Sequence, residues 1–101
     1  MKKIINGKSY NTDTATFIGE YAVGRDGDFA YFCERLYRTR KGQYFLYHEG
    51  GPNSKYGKWE CGTGYWTKDI ELLDEEEAKA WGEQYMDADE YEEVFGAVEE
   101  G

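Results

Sequence analysis

Cys33, His48 and Cys61 are the residues of this 101-residue chain best suited to nucleophilic or metal chemistry, and they are scattered along it. The cysteines lie 28 positions apart, without the paired C-x-x-C spacing of a zinc site. A closed structural zinc site takes four ligands, and one His with two Cys supplies three. A carboxylate or a second subunit would have to complete it. The default expectation is two reduced thiols and no cofactor. Cys61 could act as a nucleophile only with His48, the sole histidine, as its base, and no nucleophile-elbow context surrounds it. Among 21 acidic residues no pair stands out for acid–base work. The expectation is a protein that is not an enzyme.

The stretch EGGPNSKYGKWECGTGYW, residues 49–66, has the glycine content of a phosphate-binding loop. It fails the pattern. A Walker loop needs G-x-x-x-x-G-K-[ST] opening a helix. Here Gly57-Lys58 is preceded at the required distance by Pro52 and followed by Trp59. The dinucleotide fingerprint G-x-G-x-x-G fails as well, because Gly62 and Gly64 are followed by Thr67 at the third glycine's place. What remains is a connector with a specified shape. Gly50, Gly51 and Pro52 end a strand sharply, and Asn53 and Ser54 form turns. Tyr56, Trp59, Tyr65 and Trp66 are large, stiff and amphipathic, as interface anchors are. They either contact another protein or fold back over one end of a small core.

Charge is unevenly placed. Residues 1–73 carry eleven Lys/Arg and nine Asp/Glu, whereas residues 74–101 carry one Lys and twelve Asp/Glu. The segments therefore hold +2 and −11, which sum to the net −9. Nucleic-acid affinity comes mainly from cations on phosphates, so direct DNA or RNA binding is disfavoured and a basic partner suits the chain. Arg35, Arg38, Arg40 and Lys41 form one basic patch, read as a solvated hairpin tip that discourages strand-to-strand aggregation.

The elements that must position these residues are legible from periodicity. KKIINGKSYN reads as a β-hairpin around Asn6-Gly7. Thr12 or Asp13 is expected to cap a short turn before a strand through Phe17, Ile18, Tyr21 and Val23. GRDGD, residues 24–28, reads as a turn or a mobile loop. Residues 28–50 read as two long strands joined at RKGQ. Phe29, Tyr31 and Cys33 are expected on one face and Phe32 and Leu36 on the other, with Phe45 and Tyr47 opposing Tyr44, Leu46 and His48 on the return. A short strand KDIELL precedes two acidic helices. Asp74 with Glu77, and Asp87 with Glu90, are capping-box patterns, and Ala78, Trp81 and Tyr85 share a helix face, as do Tyr91, Val94 and Phe95. Strands first and helices last predict one α+β domain over 1–101: β-rich over 1–73, acidic and helical over 74–96, with a short tail over 97–101.

In this order, INGKSYNTDTAT, ERLYRTRKGQYFLYHEGGPNSKY and LLDEEEAKAWGEQY give nearly the whole chain a resemblance to small proteins of bacterial mobile elements. The group resembles the acidic phage and plasmid inhibitors of host defence, in particular type II anti-CRISPR proteins. That resemblance implies a cytoplasmic protein in a bacterial host, bound to a basic effector nuclease and obstructing target-DNA loading as a DNA mimic. The contacts expected are Glu75, Glu76, Glu83, Glu90, Glu92 and Glu93, with the aromatic anchors of residues 49–66. The alternatives are an adaptor that docks through that aromatic loop, or a small metal-binding protein. No apolar run approaches the roughly 18 residues of a membrane span, and the first eleven residues lack the apolar region of an export signal.

Overall fold

A computed structural model describes residues 1–101. Eight strands precede two helices, giving the expected α+β architecture. The strands are β1 (Lys2–Ile5), β2 (Lys8–Asn11), β3 (Thr16–Val23), β4 (Phe32–Arg38), β5 (Tyr44–Gly50), β6 (Lys58–Glu60), β7 (Thr63–Tyr65) and β8 (Thr67–Leu73). The helices are α1 (Glu75–Tyr85) and α2 (Ala88–Phe95). An antiparallel sheet ordered β3-β4-β5-β8 forms the centre, and β1-β2 and β6-β7 are separate hairpins.

The strand alternation splits the core into two layers. Leu36, Tyr44, Leu46 and Leu73 point to one face and pack under Ala78 and Trp81 of α1. Tyr37, Phe45, Tyr47 and Ile70 point to the other and pack under Tyr10 of the β1-β2 hairpin. Each face of a half-polar sheet thus finds its own cover, which the period of two requires. Asn6 and Gly7 adopt φ of 51° and 76°, the left-handed pair that a two-residue hairpin needs. β3 gains room for Ile18 through an irregularity between Phe17 and Gly19.

Helix α1 carries the full capping box: the Asp74 carboxylate accepts from the Glu77 amide at 2.8 Å, and the Glu77 side chain accepts from the Asp74 amide at 3.0 Å. At α2 only the forward bond forms, from the Glu90 amide to Asp87. The reciprocal expectation fails there.

Four local expectations change. The turn after β2 is held by Asn11, whose side chain accepts from the Asp13 amide, and not by Thr12 or Asp13 acting as cap. Phe29 lies in a turn, since β4 starts at Phe32. The connector over residues 49–66 holds a further hairpin, β6-β7, turning on Cys61 and Gly62 with φ of 49° and 78°. Cys-Gly does there what Asn-Gly does at 6–7, and cysteine carries none of asparagine's preference for that region. Finally, Arg35 is not at the hairpin tip. It pairs with Glu20 at 2.9 Å and lies 5.8 Å from the Tyr47 ring centre.

Candidate functional site

The connector is anchored from beneath by one carboxylate. Glu34, in the middle of β4, is 2% exposed and faces the helix layer between Phe32 and Leu36. Its oxygens accept from the Trp81 indole N–H at 3.0 Å and from the Tyr56 hydroxyl, and the Lys55 ammonium pairs with it at 2.7 Å. Burial pushes this carboxyl up, but the bonds from Lys55, Tyr56 and Trp81 together outweigh that and hold it below the ordinary 4.5. Burial and the same bond to Glu34 push the Tyr56 hydroxyl well above its usual range. A carboxylate held by three donors acts as a fastener. It ties the connector to the sheet and to α1 at one point.

His48 is the cross-strand neighbour of Glu34 on one side and Asp69 on the other. Its ring stacks on Tyr56 with centres 4.0 Å apart and planes 10° apart. The Nδ1 atom is buried without a partner, and burial lowers the imidazole below its usual range despite Glu71, Asp69 and Glu34 nearby.

The connector's backbone is fully organised. Gly51 donates to the Tyr31 carbonyl and Asn53 to that of Phe29, both at 2.8 Å. The Ser54 hydroxyl donates to the Gly51 carbonyl at 2.7 Å and accepts from the Tyr56 amide at 3.2 Å. A Cβ on Gly57 would land on the carbonyl oxygen of Pro52, so glycine is required there. The Trp59 indole donates to that same carbonyl at 2.7 Å, fixing the ring on the outside of the hairpin.

Of the four expected aromatic anchors, three face out. Trp59, Tyr65 and Trp66 are 57%, 46% and 48% exposed, and Phe29, missed as a member of the group, meets Trp66 edge-on at 6.5 Å. Tyr56 is the correction: it turns inward onto His48 and Glu34 and is only partly exposed. The six glutamates Glu75, Glu76, Glu83, Glu90, Glu92 and Glu93 are all exposed. Among them only Glu75 has a cation, Lys79 at 3.1 Å.

The candidate metal set is not brought together. Cys33 and His48 lie on opposite faces of the sheet, and Cys61 is exposed at the tip of the β6-β7 hairpin. No group of three or more His, Cys, Asp or Glu side chains is arranged to hold a metal ion. Cys33 is fully buried, 3.5 Å from the Glu49 carboxylate, and burial pushes its thiol up. The His48 Nδ1 has no partner, and its ring lies on the opposite face of the sheet from Cys33.

The sequence reading missed Glu34, Lys55 and Trp81 as one unit. A signal for Glu34 was present, since the alternation that puts Phe32 and Leu36 on one apolar face puts residue 34 there too. Comparison with known protein families, with curated proteins and with solved structures gave no match. No helix is long and apolar enough to cross a membrane.

Proposed function

We propose that this chain is a non-enzymatic binding protein that covers a basic surface of a partner protein with its two acidic helices. The observation that carries this reading is the uncompensated charge of residues 74–101. Twelve carboxylates there face one lysine, and that lysine is committed to Glu75. Such a surface steers a basic partner into encounter and opposes binding of phosphate backbones. In its specific form, following the resemblance, the partner is a type II CRISPR effector, whose positively charged channel holds nucleic acid, and the chain obstructs target-DNA loading.

A purified effector, with and without guide RNA, is the first partner to test, at low and physiological salt. The expected result is binding that weakens with salt and is lost when the six glutamates become glutamine. Direct DNA binding by the chain at physiological salt would sink the proposal.

A second reading is favoured by one observation, the exposed aromatic group Phe29, Trp59, Tyr65 and Trp66 on a backbone held by hydrogen bonds. Here the connector docks an adaptor partner and the helices serve solubility. Trp59→Ala with Trp66→Ala then abolishes binding, and the glutamine substitutions leave it intact.

A further inference from the structure

One concavity lies away from both the acidic helices and the aromatic hairpin. It is an open groove of about 760 Å³ between the β1-β2 hairpin with its following turn and the β4-β5 turn. Only Tyr10 and Ala15 of its lining are apolar. Three cations line it, Lys8 from the start of β2 and Arg40 and Lys41 from the β4-β5 turn, and none has a carboxylate within 4 Å. In a chain of net charge −9, three unpaired cations around one groove are a local reversal of sign.

The polar frame leaves donors free. The Asn11 side-chain oxygen is taken by the Asp13 amide, while its NH₂ group has no partner. The Thr39 hydroxyl accepts from the Gln43 amide at 3.1 Å, and the Gln43 NH₂ is spent on the carbonyls of Tyr44 and Leu73. The Ser9 hydroxyl and all three cations remain without protein partners. Both supporting turns are tight: Thr39 and Gly42 close the β4-β5 turn through bonds to Gln43 and Thr39, with Gly42 at φ 89°, and Asn6-Gly7 closes the other. Rigid presentation lowers the ordering cost of binding.

We infer that this groove binds a small phosphorylated ligand of nucleotide size, with Lys8, Arg40 and Lys41 on its phosphates and Ser9 and Asn11 donating beside them. A cationic guanidinium and two ammonium groups suit phosphate oxygens, which accept several charge-assisted bonds at once. The groove's size is that of a small-ligand site, and its polar lining fits an anion better than an apolar molecule. The inference is independent of the partner-binding role proposed above, since it uses none of the same residues.

The test is a two-dimensional amide NMR titration of the full chain with ADP and, separately, inorganic pyrophosphate. Saturable shifts are expected at residues 8–15 and 39–43 with both probes. The net negative charge of the chain works against unspecific anion uptake. The triple substitution Lys8→Gln, Arg40→Gln, Lys41→Gln should weaken binding about tenfold or more, the loss of a charge-assisted contact being a factor of that order. Unchanged shifts elsewhere would show that this variant keeps its fold. No saturable response up to about 10 mM, a weak limit for a specific site, overturns the inference. So do shifts centred on Lys2, Arg25 or Lys68, or a groove response to single-stranded RNA with none to ADP or pyrophosphate.

Discussion

Glu34 is the residue whose replacement tests the reasoning most sharply. A Glu34→Gln side chain keeps the shape but offers one oxygen. Trp81 can only donate, so that oxygen must face the indole, and the new NH₂ must face the Tyr56 oxygen. Two charge-assisted bonds become neutral ones, a loss of about 1 kcal/mol each. Lys55 is half exposed and turns to water, so its share is discounted to about 0.5 kcal/mol. Relief from burying a charge offsets part of this, leaving a net cost of about 1–2 kcal/mol. For a domain of this size that lowers Tm by about 5–15 °C. Glu34→Leu strands the indole N–H and the hydroxyl without partners, at about 1–3 kcal/mol each, so it should be the less stable variant.

The assay is urea unfolding followed by circular dichroism across a pH series. Because the folded carboxyl is held below the ordinary 4.5, its contribution is present above that value and is lost as pH falls through the lower folded one. Glu34→Gln should remove Glu34's share of the acid limb, leaving the share of Asp69, which Lys3 holds low. If Glu34→Leu proves as stable as the parent, or the acid limb of Glu34→Gln is as deep as the parent's, burial rather than bonding governs the site and the reasoning fails.

Three further predictions rest on other features. His48→Phe keeps a ring on Tyr56 and removes the unpartnered Nδ1, so stability at neutral pH should hold or rise by up to about 1 kcal/mol. The folded imidazole is lowered below 6.5, so the parent loses stability as pH falls from there toward the lower folded value, and urea titrations of the Phe variant should lack that slope. Asp74→Ala removes the bond its carboxylate accepts from the Glu77 amide, at the head of a helix that buries Ala78 and Trp81, so a global loss of about 1 kcal/mol is expected in thermal melts. Asp87→Ala opens α2, which has no fully buried residue, so it should speed amide exchange in residues 88–95 and leave the melt nearly unchanged.

Legibility followed the strength of the local signal. The first hairpin was readable because asparagine and glycine both favour the left-handed region that the turn demands. The second hairpin was hidden because Cys61 occupies the same conformation without that preference, at a place where aromatic and glycine content suggested an irregular loop. The helix start at Asp74 was readable because a capping box is a short-range device, complete within four residues. The displaced Arg35 shows the limit of contiguity: four cations close in sequence suggested one patch, but alternation sends residue 35 along the sheet to Glu20.

The candidate site divides in the same way. Exposure of the acidic glutamates and of Trp59, Tyr65 and Trp66 follows from local pattern, because a solvated helix face and a glycine-bounded hairpin need no distant partner. Tyr56 could not be sorted from those neighbours, since its inward turn depends on a carboxylate 22 positions earlier and a histidine on the adjacent strand. Glu34 in turn is one of 21 acids, and only long-range pairing with Trp81, 47 positions on, distinguishes it. The basic groove is harder still to read. Lys8 and Arg40 lie in hairpins far apart in sequence, and packing of β1-β2 on the outer face of the sheet is what sets them around one cleft. That packing depends on Tyr10 against Phe45, an edge-on contact at 5.9 Å. The aromatic richness that the composition showed therefore shapes the cationic groove, by holding in place the hairpin that carries Lys8.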